Sequence, residues 1–328
     1  MQLSVVIPVY NGADFIDKSY QSILNQHVDD FEILYVDNNS TDSSVQNIQK
    51  LITQDKRVKL FKQAKQGAAP ARNLGIEKAK GDYVYMFDVD DEIYPHALHK
   101  MLAVLEGNKD VDAVFGKMVK SYKGITETEK PTDETDKVVF KEKPYWGLLW
   151  FEHLKHVVGP PAFLYRRSVF DKIGVYPEEI KIGEDTAFDI RLGMTSAVAF
   201  LDSYVYLYYK HEVSTIQQSK RQMPRAFMIW PRLVKAHLPF YLEYNPPKTF
   251  KKILFSQLFQ SMGRQLVYTP EFKERKRLKQ QLFDDIKGIS IPISIRLYLS
   301  ILVILPLEVL RKIYGYHLVP RVVKQLTD

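Results

Sequence analysis

The sequence contains no cysteine among its 328 residues. This absence excludes disulfide bonds, thiolate zinc sites and cysteine nucleophiles, and it fits a reducing compartment. The opening segment, "MQLSVVIPVYNG", lacks a basic stretch and a small-residue cleavage site, so we expect no signal peptide there. The longest apolar run, at 297–307, is too short to span a bilayer by itself.

Glycine-rich phosphate-binding loops are also missing. After the first apolar run the chain reads "PVYNGAD", which has a single glycine and matches neither GxGxxG nor the P-loop pattern. A phosphate bound at this point would need positive charge from elsewhere in the chain. A divalent metal held by acidic side chains is the obvious source.

The net charge of +7 is unevenly distributed along the chain. Residues 1–209 hold 25 Lys and Arg against 31 Asp and Glu, whereas residues 210–328 hold 21 against 8. This asymmetry predicts two parts with different partners, which we divide as 1–215 and 216–328. Nucleic acid is a poor partner because the basic part carries no recognisable nucleic-acid-binding motif.

The first 120 residues alternate between strand-like and helix-like apolar periods. "LSVVIPVY", "FEILYVDN", "RVKLFKQ", "GDYVYMFDV" and "DAVFGKMV" predict strands, and the segments between them predict helices. This alternation indicates an α/β fold with a parallel, doubly wound sheet. Ligands bind such sheets beyond the carboxyl ends of the strands. Polar side chains follow three of these strands: Asn11, Asp37, Asn38, Asp88, Asp90 and Asp91.

Any one of these polar residues could belong to an ordinary solvated turn, but their convergence favours a binding site. Asp88, Asp90 and Asp91 crowd the end of an apolar run, where like charges repel one another and resist desolvation. Mg²⁺ or Mn²⁺ would offset that cost, because both prefer carboxylate oxygens. We expect Glu92, the next acid, to be a solvated neighbour.

Two segments of the middle of the chain differ sharply in composition. Residues 122–143 are charged and poor in aliphatic side chains, which predicts a mobile surface excursion, with a lid as the alternative. The segment that follows is rich in aromatic residues. We expect Trp146, Trp150 and Phe151 to belong to the core, and a sugar-stacking platform is the alternative interpretation.

Four blocks together resemble family 2 glycosyltransferases of the GT-A fold: "SVVIPVYNGADFIDKSYQSILNQ", "FEILYVDNNSTDSS", "QGAAPARNLGIEKAKGDYVYMFDVDD" and "LYRRSVFDKIGVYPEEIKIGEDTAFDIRL". They occur in the family's order and spacing, and a weaker echo follows at "YYKHEVST". The resemblance implies a Rossmann-like, mainly parallel sheet flanked by helices. It also implies inverting transfer of a sugar from a nucleotide-diphosphate donor to an acceptor hydroxyl.

The resemblance assigns the metal and the donor's ribose or sugar to Asp88, Asp90 and Asp91 jointly. Within that group we expect Asp90 and Asp91 to hold Mn²⁺ or Mg²⁺, and Asp88 and Asp90 to meet the donor. His211 matches a position that meets the metal or the diphosphate in some members, and a structural histidine is the alternative. A metal there would neutralise the diphosphate leaving group.

The resemblance also implies the general base. Inversion needs a carboxylate facing the anomeric carbon, and the family's "ED" pair corresponds to Glu184 and Asp185, with Asp185 as the base. The alternative is an acidic helix start that is stabilised by the helix dipole. Both interpretations can hold together.

Nucleotide recognition is assigned by the resemblance to residues at the first two strand ends: Pro8, Val9, Tyr10, Asn11, Asp37 and Asn38. Many members have a second acid where this chain has Asn38, and an amide can still accept a hydrogen bond from a uracil or thymine N3–H. Arg72, in "PARNLG", matches a position that faces the nucleotide or diphosphate. A surface arginine on a helix is the alternative.

The basic tail carries the most hydrophobic segment of the chain, at 289–324, flanked by cations and tyrosines. This pattern predicts association with a membrane surface. We therefore expect a cytoplasmic protein, peripheral at the inner face of the cell membrane. A helix pair that packs on the catalytic domain or on a second subunit is the alternative.

The leading hypothesis is a metal-dependent hexosyl- or N-acetylhexosaminyltransferase with a UDP-sugar as the favoured donor. Its acceptor would be a glycan, a lipid-linked sugar or a polymer in surface polysaccharide biosynthesis. Two alternatives stay open. One is sugar transfer to a polyprenyl phosphate on the same fold, and the other is a non-catalytic module that binds a sugar or a partner.

Overall fold

The computed structural model describes residues 2–180, 182–211 and 230–328. The chain divides into two compact units, 1–214 and 215–328. The boundary at 215/216 that the sequence predicts lies outside the described residues, as do residues 212–215 of the "YYKHEVST" segment.

The described residues of the first unit form one sheet of nine strands: β1 (Leu3–Val9), β2 (Phe31–Asp37), β3 (Val58–Lys62), β4 (Tyr83–Met86), β5 (Glu92–Ile93), β6 (Ala113–Ser121), β7 (Val138–Phe140), β8 (Phe163–Arg166) and β9 (Val198–Tyr209). The helices of this unit are α1 (Ile16–Leu24), α2 (Ser44–Gln54), α3 (Ala68–Lys78), α4 (Ala97–Gly107), α5 (Tyr145–Glu152), α6 (Val169–Ile173) and α7 (Glu184–Thr195).

The strand order is β3-β2-β1-β4-β8-β6-β9-β5, and β7 pairs with β9 outside this path. β1 to β4, β6 and β9 run in one direction, whereas β5, β7 and β8 run in the other. The predicted α/β class is confirmed as a mixed, mostly parallel sheet flanked by helices. β1 and β2 lie inside the sheet and are buried along almost their whole length, as expected of strands covered on both faces.

Two helices of the first unit are positioned by glycines that allow the backbone to lie very close to a neighbouring element. A Cβ on Gly75 of α3 would lie 2.1 Å from Cγ1 of Val6, so α3 packs directly against β1. Gly147 of α5 faces Gly193 of α7, and a Cβ on Gly147 would lie 2.4 Å from the backbone nitrogen of Met194. α7 is therefore held against α5 by a contact that admits no larger side chain.

The segment at 122–143 lies at the surface, as its composition predicts, since none of its residues is buried, but several contacts attach it to the sheet. It contains β7, which pairs with β9, and Oε2 of Glu134 accepts a hydrogen bond from the backbone N–H of Tyr204 at 2.8 Å. Asp136 forms an ion pair of 2.7 Å with Lys100 of α4. The polar side chains of this segment therefore bind it to the sheet.

The aromatic segment belongs to the core, as expected. Trp150 is 1% exposed and Phe151 is fully buried, so neither ring is available to stack on a sugar. The indole N–H of Trp146 donates to the carbonyl of Val198 at 3.0 Å, which ties α5 to the start of β9.

The described part of the second unit is helical: α8 (Trp230–Tyr244), α9 (Lys248–Val267), α10 (Phe272–Asp284), α11 (Ile293–Ile304), α12 (Glu308–Ile313) and α13 (Val319–Thr327), with a π-helical turn at Tyr314–Leu318. α9 is buried around most of its circumference. The Tyr314 hydroxyl donates to the carbonyl of Phe259 at 3.0 Å, and its ring passes over Gly263. No helix among the described residues combines the length and the apolar character needed to cross a membrane.

Candidate active site

Most of the predicted site residues lie at one edge of the sheet. Val9 pairs with Asp37 across β1 and β2, and Val6 pairs with Met86 across β1 and β4, so these strands end side by side. The acidic cluster begins two residues after the end of β4, and His211 lies two residues after the end of β9. β9 runs in the same direction as β4, so both ends point to the same side of the sheet. The topology thus brings together side chains from four separate strand ends.

At the end of β1, Asn11 connects this strand to the loop after β2. Its backbone is left-handed, with a φ of 50°. Its side-chain Oδ1 accepts a hydrogen bond from the N–H of Thr41 at 2.8 Å, and its own N–H donates to Oγ of Ser40 at 3.0 Å. Pro8 is half-buried and Val9 is buried, whereas Tyr10 is 58% exposed. Asn11 is also exposed, but its side chain is bound to the loop after β2, so the Tyr10 ring is the group at this strand end that is available to a nucleoside.

At the end of β2, the side chains of Asp37 and Asn38 are buried and hydrogen-bonded. Oδ1 of Asp37 accepts from the N–H of Ser40 at 3.2 Å. Nδ2 of Asn38 donates to the carbonyls of Gln63 and Lys65, and its Oδ1 accepts from the N–H of Gly67 at 2.7 Å. The amide therefore holds the loop that leads into α3. One lone pair of Oδ1 is left to accept a hydrogen bond from a nucleobase. The role of Asn38 in base recognition stays a prediction.

Arg72 lies between two carboxylates and is buried, which excludes the surface-arginine interpretation. Its guanidinium donates to Oδ1 of Asp88 at 2.9 Å and to Oε1 of Glu184 at 3.0 Å, and it is 6% exposed. Burial disfavours its charge, but the carboxylates of Asp88 and Glu184 raise the pKa of Arg72 well above its ordinary value. The guanidinium also lies over the ring of Tyr176, 5.4 Å from its centroid. Arg72 thus remains a cation at the centre of the site.

Asp90 and His211 form a second pair at this edge. Nε2 of His211 lies 2.7 Å from Oδ2 of Asp90, and the imidazole stacks on Tyr209 with 5.6 Å between ring centroids. Burial, followed by the charge of Asp88, raises the pKa of Asp90. The carboxylate oxygen is a donor that both Mn²⁺ and Mg²⁺ prefer, whereas the imidazole nitrogen that faces it suits Mn²⁺, the softer of the two ions, better than Mg²⁺.

Asp91 is differently placed from its neighbours. It is 1% exposed, and its Oδ1 accepts a hydrogen bond from the N–H of Tyr209 at 2.9 Å, while Oδ2 is buried without a partner. Burial, followed by the charges of Asp90 and Asp88, raises the pKa of Asp91 well above its usual range. Asp91 therefore joins the acidic turn to the end of β9, just before His211.

No three His, Asp or Glu side chains converge on a metal position within the ranges that the structure describes. The predicted trio of Asp90, Asp91 and His211 is thus present as the Asp90–His211 pair, with Asp91 behind it. Two protein ligands suffice for a metal that is completed by water and substrate phosphates. The orphaned Oδ2 of Asp91 is a further acceptor at the site. The donor set fits the metal, and metal binding stays a prediction.

The "ED" pair forms the start of α7. Gly183 precedes it with a φ of 89°, in the left-handed region that glycine adopts easily. Oδ1 of Asp185 accepts from the N–H of Thr186 at 2.6 Å, and Asp185 is half-buried. Burial, followed by the charge of Asp185, raises the pKa of Glu184 to about 7. Both the catalytic and the helix-dipole interpretations of this pair are compatible with this geometry.

Sequence reasoning missed two residues of this region. Asp189 lies one helical turn after Asp185, is fully buried, and has no hydrogen-bond partner for either carboxylate oxygen. Burial, followed by the charge of Asp185, raises the pKa of Asp189 well above its usual range. Tyr176 packs on Phe188 at a centroid distance of 4.4 Å, beside Arg72. The spacing of four between Asp185 and Asp189 was the available signal, since it puts both on one helix face.

The prediction that Glu92 is a solvated neighbour of the acidic cluster is wrong. It is 8% exposed, forms an ion pair of 2.8 Å with Lys18, and accepts a hydrogen bond from the N–H of Ile125 at 2.9 Å. It is therefore buried and paired, not solvated, because β5 is itself a strand of the sheet.

The family of this chain is established by comparison of its sequence with known proteins. The model of glycosyl transferase family 2 matches residues 4–174, just over half of the chain, and the chain belongs to this family. The sequence is 26% identical to EpsJ of Bacillus subtilis, a glycosyltransferase by name, over 307 residues. That match covers 84% of this chain and 89% of EpsJ.

Two further relatives match this chain over shorter stretches. A glycosyltransferase of Haemophilus influenzae is 44% identical over 101 residues, which are 30% of this chain and 40% of that protein. The match to a Rickettsia conorii glycosyltransferase likewise covers 32% of its length. Among solved structures, S. aureus TarS in complex with UDP-GlcNAc is similar with a TM-score of 0.67 and 20% identity, over 100% of this chain and 93% of that chain. This similarity confirms the GT-A fold.

Proposed function

We propose that this glycosyltransferase moves a sugar from a nucleotide-diphosphate donor, with a UDP-sugar favoured, to a hydroxyl of a glycan, lipid-linked or polymer acceptor. The biosynthesis of a surface polysaccharide is the proposed setting. One observation carries the proposal: Arg72 binds Asp88 and Glu184 simultaneously, so a buried cation joins the acidic turn to the start of α7. The UDP-GlcNAc complex of TarS, which shares the fold, supports the donor class.

Asp185 is the proposed general base. The acceptor oxygen attacks the anomeric carbon as the bond from that carbon to the diphosphate oxygen breaks. The hydroxyl proton passes to the Asp185 carboxylate, and the bonding electron pair leaves with the nucleoside diphosphate. Glu184 is less suited to this role, because it is buried and its Oε1 is already bound to Arg72, whereas Asp185 is half-buried. Glu184 instead positions Arg72.

Asp90 and His211 are the proposed protein ligands of Mn²⁺ or Mg²⁺. When bound, the cation would supply positive charge to the diphosphate as it leaves. Asp91 orients this pair through its hydrogen bond to Tyr209, which precedes His211 by two residues. Arg72 provides a permanent positive charge in the same region, and its Nε–H has no acceptor within the described part of the chain.

A thermal-shift experiment tests the donor and the metal together. The protein is heated with UDP-GlcNAc, UDP-glucose, GDP-mannose or dTDP-glucose, each with Mn²⁺ and with EDTA. A ligand that binds only the native state raises the melting temperature with its concentration, and we expect this for a UDP-sugar with Mn²⁺ only. A shift that persists in EDTA would remove the metal from the proposal. No shift with any donor, together with no sugar transfer, would favour the non-catalytic module.

A further inference from the structure

A row of exposed aliphatic side chains runs along α11 and α12 in the second unit. Eleven Ile, Leu and Val side chains are exposed within the described residues, and eight of them lie between positions 293 and 313. We call these eight the apolar row: Ile293, Leu297, Ile301, Ile304, Leu305, Leu307, Val309 and Ile313, with exposures from 43% to 75%. Tyr316, at 69% exposure, follows them in sequence.

Helical spacing puts the first half of the apolar row on a single side of α11. Ile293, Leu297 and Ile301 follow one another at intervals of four residues, and Ile304 lies within the same sector. The opposite side of α11 carries Ile295, Leu299 and Leu302, which are buried in the core of the second unit. α11 is therefore apolar on two sides, and packing within its own unit explains only one of them.

Buried and partly buried polar contacts hold the apolar row in place. Arg275 of α10 is 5% exposed and donates to the carbonyl of Val303, near the end of α11, and to the carbonyl of Thr269. The hydroxyl of Tyr298 donates to the carbonyl of Leu310 at 3.1 Å, which joins α11 to α12. The exposed side chains thus belong to a fixed surface, not to a frayed end.

Cations border the apolar row. Nζ of Lys279 lies 2.7 Å from Oγ of Ser300, and both Lys279 and Arg296 lie over the ring of Phe283, at 5.6 and 5.5 Å. Lys312 is exposed between Val309 and Ile313.

The segment at 289–324 contains a single acid, Glu308, and its carboxylate is bound by Arg311. The surface therefore combines an aliphatic centre with a positive border.

We propose that the apolar row and its cationic border bind the surface of an anionic phospholipid bilayer. Interfacial helices place an apolar face among the acyl chains and cations among the head groups, and this surface has both. α11 has 12 residues and would lie along the interface for about 18 Å. Because the cytoplasmic leaflet carries the anionic lipids of a cell membrane, this surface fits attachment to that leaflet. It would hold the enzyme beside lipid-linked acceptors.

Vesicle co-sedimentation tests the role of the apolar row. The full chain is mixed with phosphatidylcholine vesicles that contain about one third phosphatidylglycerol. We expect the double variant Leu297→Gln/Ile304→Gln to bind at least about ten-fold more weakly, because two exposed aliphatic side chains lose their burial in lipid. Val175→Gln/Leu242→Gln is the matched control, since it removes two exposed aliphatic side chains outside the row, and it should bind like the wild type. All variants should retain the wild-type circular dichroism spectrum.

The cationic border has its own test. Lys279→Gln/Lys312→Gln should weaken binding to the anionic vesicles at about 0.1 M NaCl, and the difference from the wild type should vanish at about 1 M, where the Debye length falls to about 3 Å. Equal vesicle binding by the wild type and the apolar-row variant would overturn the proposal. So would a wild-type dimer in light scattering that the apolar-row variant converts to monomers, without vesicle binding by either, because a second copy would then cover the row.

Discussion

Arg72 donates a hydrogen bond to Glu184 across 3.0 Å, and this contact joins the middle of α3 to the first residue of α7. The same guanidinium binds Asp88 at 2.9 Å, so one cation connects the acidic turn after β4 with the pair that contains the proposed base. Arg72 is buried, so its guanidinium cannot replace these two contacts with contacts to water unless the site rearranges. The bridge therefore links the stability of the first unit to the geometry of its candidate active site.

Replacement of Arg72 by methionine should strongly destabilise the protein. The change leaves two partly buried carboxylates without their cation, which costs about 3–5 kcal/mol in comparable buried pairs. The free energy of unfolding from urea titrations measures the loss. Lys65→Met is the matched control, because its ion pair with Glu178 is solvent-exposed and contributes at most about 1 kcal/mol. Similar losses in the free energy of unfolding for both variants would show that the Arg72 bridge stabilises the protein no more than an exposed ion pair does.

Gly147→Ala tests the contact that positions α7. The added Cβ would lie 2.4 Å from the backbone nitrogen of Met194, so one helix must shift, at a cost of about 1–3 kcal/mol. The same substitution at Gly107, where nothing lies within 4 Å, should be neutral or stabilising. Urea unfolding of the two variants gives the comparison, and sugar transfer should decline only in Gly147→Ala. Equal stability of the two would contradict the close contact.

Local patterns predicted the strands and the site edge well, because buried β-branched runs and strand ends have clear signatures. They predicted β1, β2 and β4, and the topology of a parallel sheet then placed Asp37 and Asp88 at one edge. β9 was missed, although its run of aromatic and β-branched residues is typical of a strand.

The failures at individual side chains have a different cause. Glu92 is buried because β5 pairs with β9, and the amide of Asn38 is engaged because a loop far along the chain returns to it. Both features depend on contacts between residues distant in sequence, and no local period encodes such contacts. Of the two, only the burial of Glu92 contradicts a prediction, and the role of Asn38 in base recognition stays a prediction. The two carboxylates that pair with the buried Arg72 are also distant from it in sequence, so the sequence does not indicate this bridge.

Glu184 should make stability depend on pH between its unfolded and folded pKa values. Its pKa is raised from 4.5 to about 7, so the folded state favours the protonated carboxyl. The free energy of unfolding that Glu184 contributes is therefore fully present below the lower value and is lost as pH rises through this interval. Burial and the charge of Asp185 outweigh the attraction of Arg72 for the ionised carboxyl, and the amide oxygen of a glutamine can still accept the hydrogen bond from Arg72. We therefore expect Glu184→Gln to match the wild type below the lower value and to be more stable above pH of about 7, by about 3 kcal/mol. Urea unfolding at several pH values measures the difference.

Glu178→Gln is the control of opposite sign for this pH dependence. The ion pair with Lys65, followed by a hydrogen bond from Asn73, lowers the pKa of Glu178. Its carboxylate therefore stabilises the fold above its unfolded pKa, and that contribution is lost as pH falls. The variant should be slightly less stable than the wild type at neutral pH and equal to it in acid. A gap for Glu184→Gln that stays constant with pH would contradict the assigned shift.

His211→Ala should weaken the dependence of donor binding on metal. If His211 and Asp90 hold the cation, loss of the imidazole should raise the Mn²⁺ concentration for half-maximal sugar transfer about 10- to 100-fold. The free energy of unfolding without metal should change little, because His211 is near the surface. His99→Ala is the control, since His99 is exposed on α4. An unchanged Mn²⁺ requirement would remove His211 from the metal site.

Asp185→Asn separates the two modes of sugar transfer that the fold permits. With a hydroxyl acceptor, loss of the general base should lower kcat by about 10²- to 10⁴-fold, while the Kd of the donor by calorimetry stays near the wild-type value. A polyprenyl phosphate acceptor is already anionic and needs no base, so its transfer rate would be little affected. Asp171→Asn, an exposed acid on α6, is the matched control and should keep full activity with either acceptor. Retention of hydroxyl transfer by Asp185→Asn would reassign the base, because the neutral amide cannot accept the proton that the reaction releases.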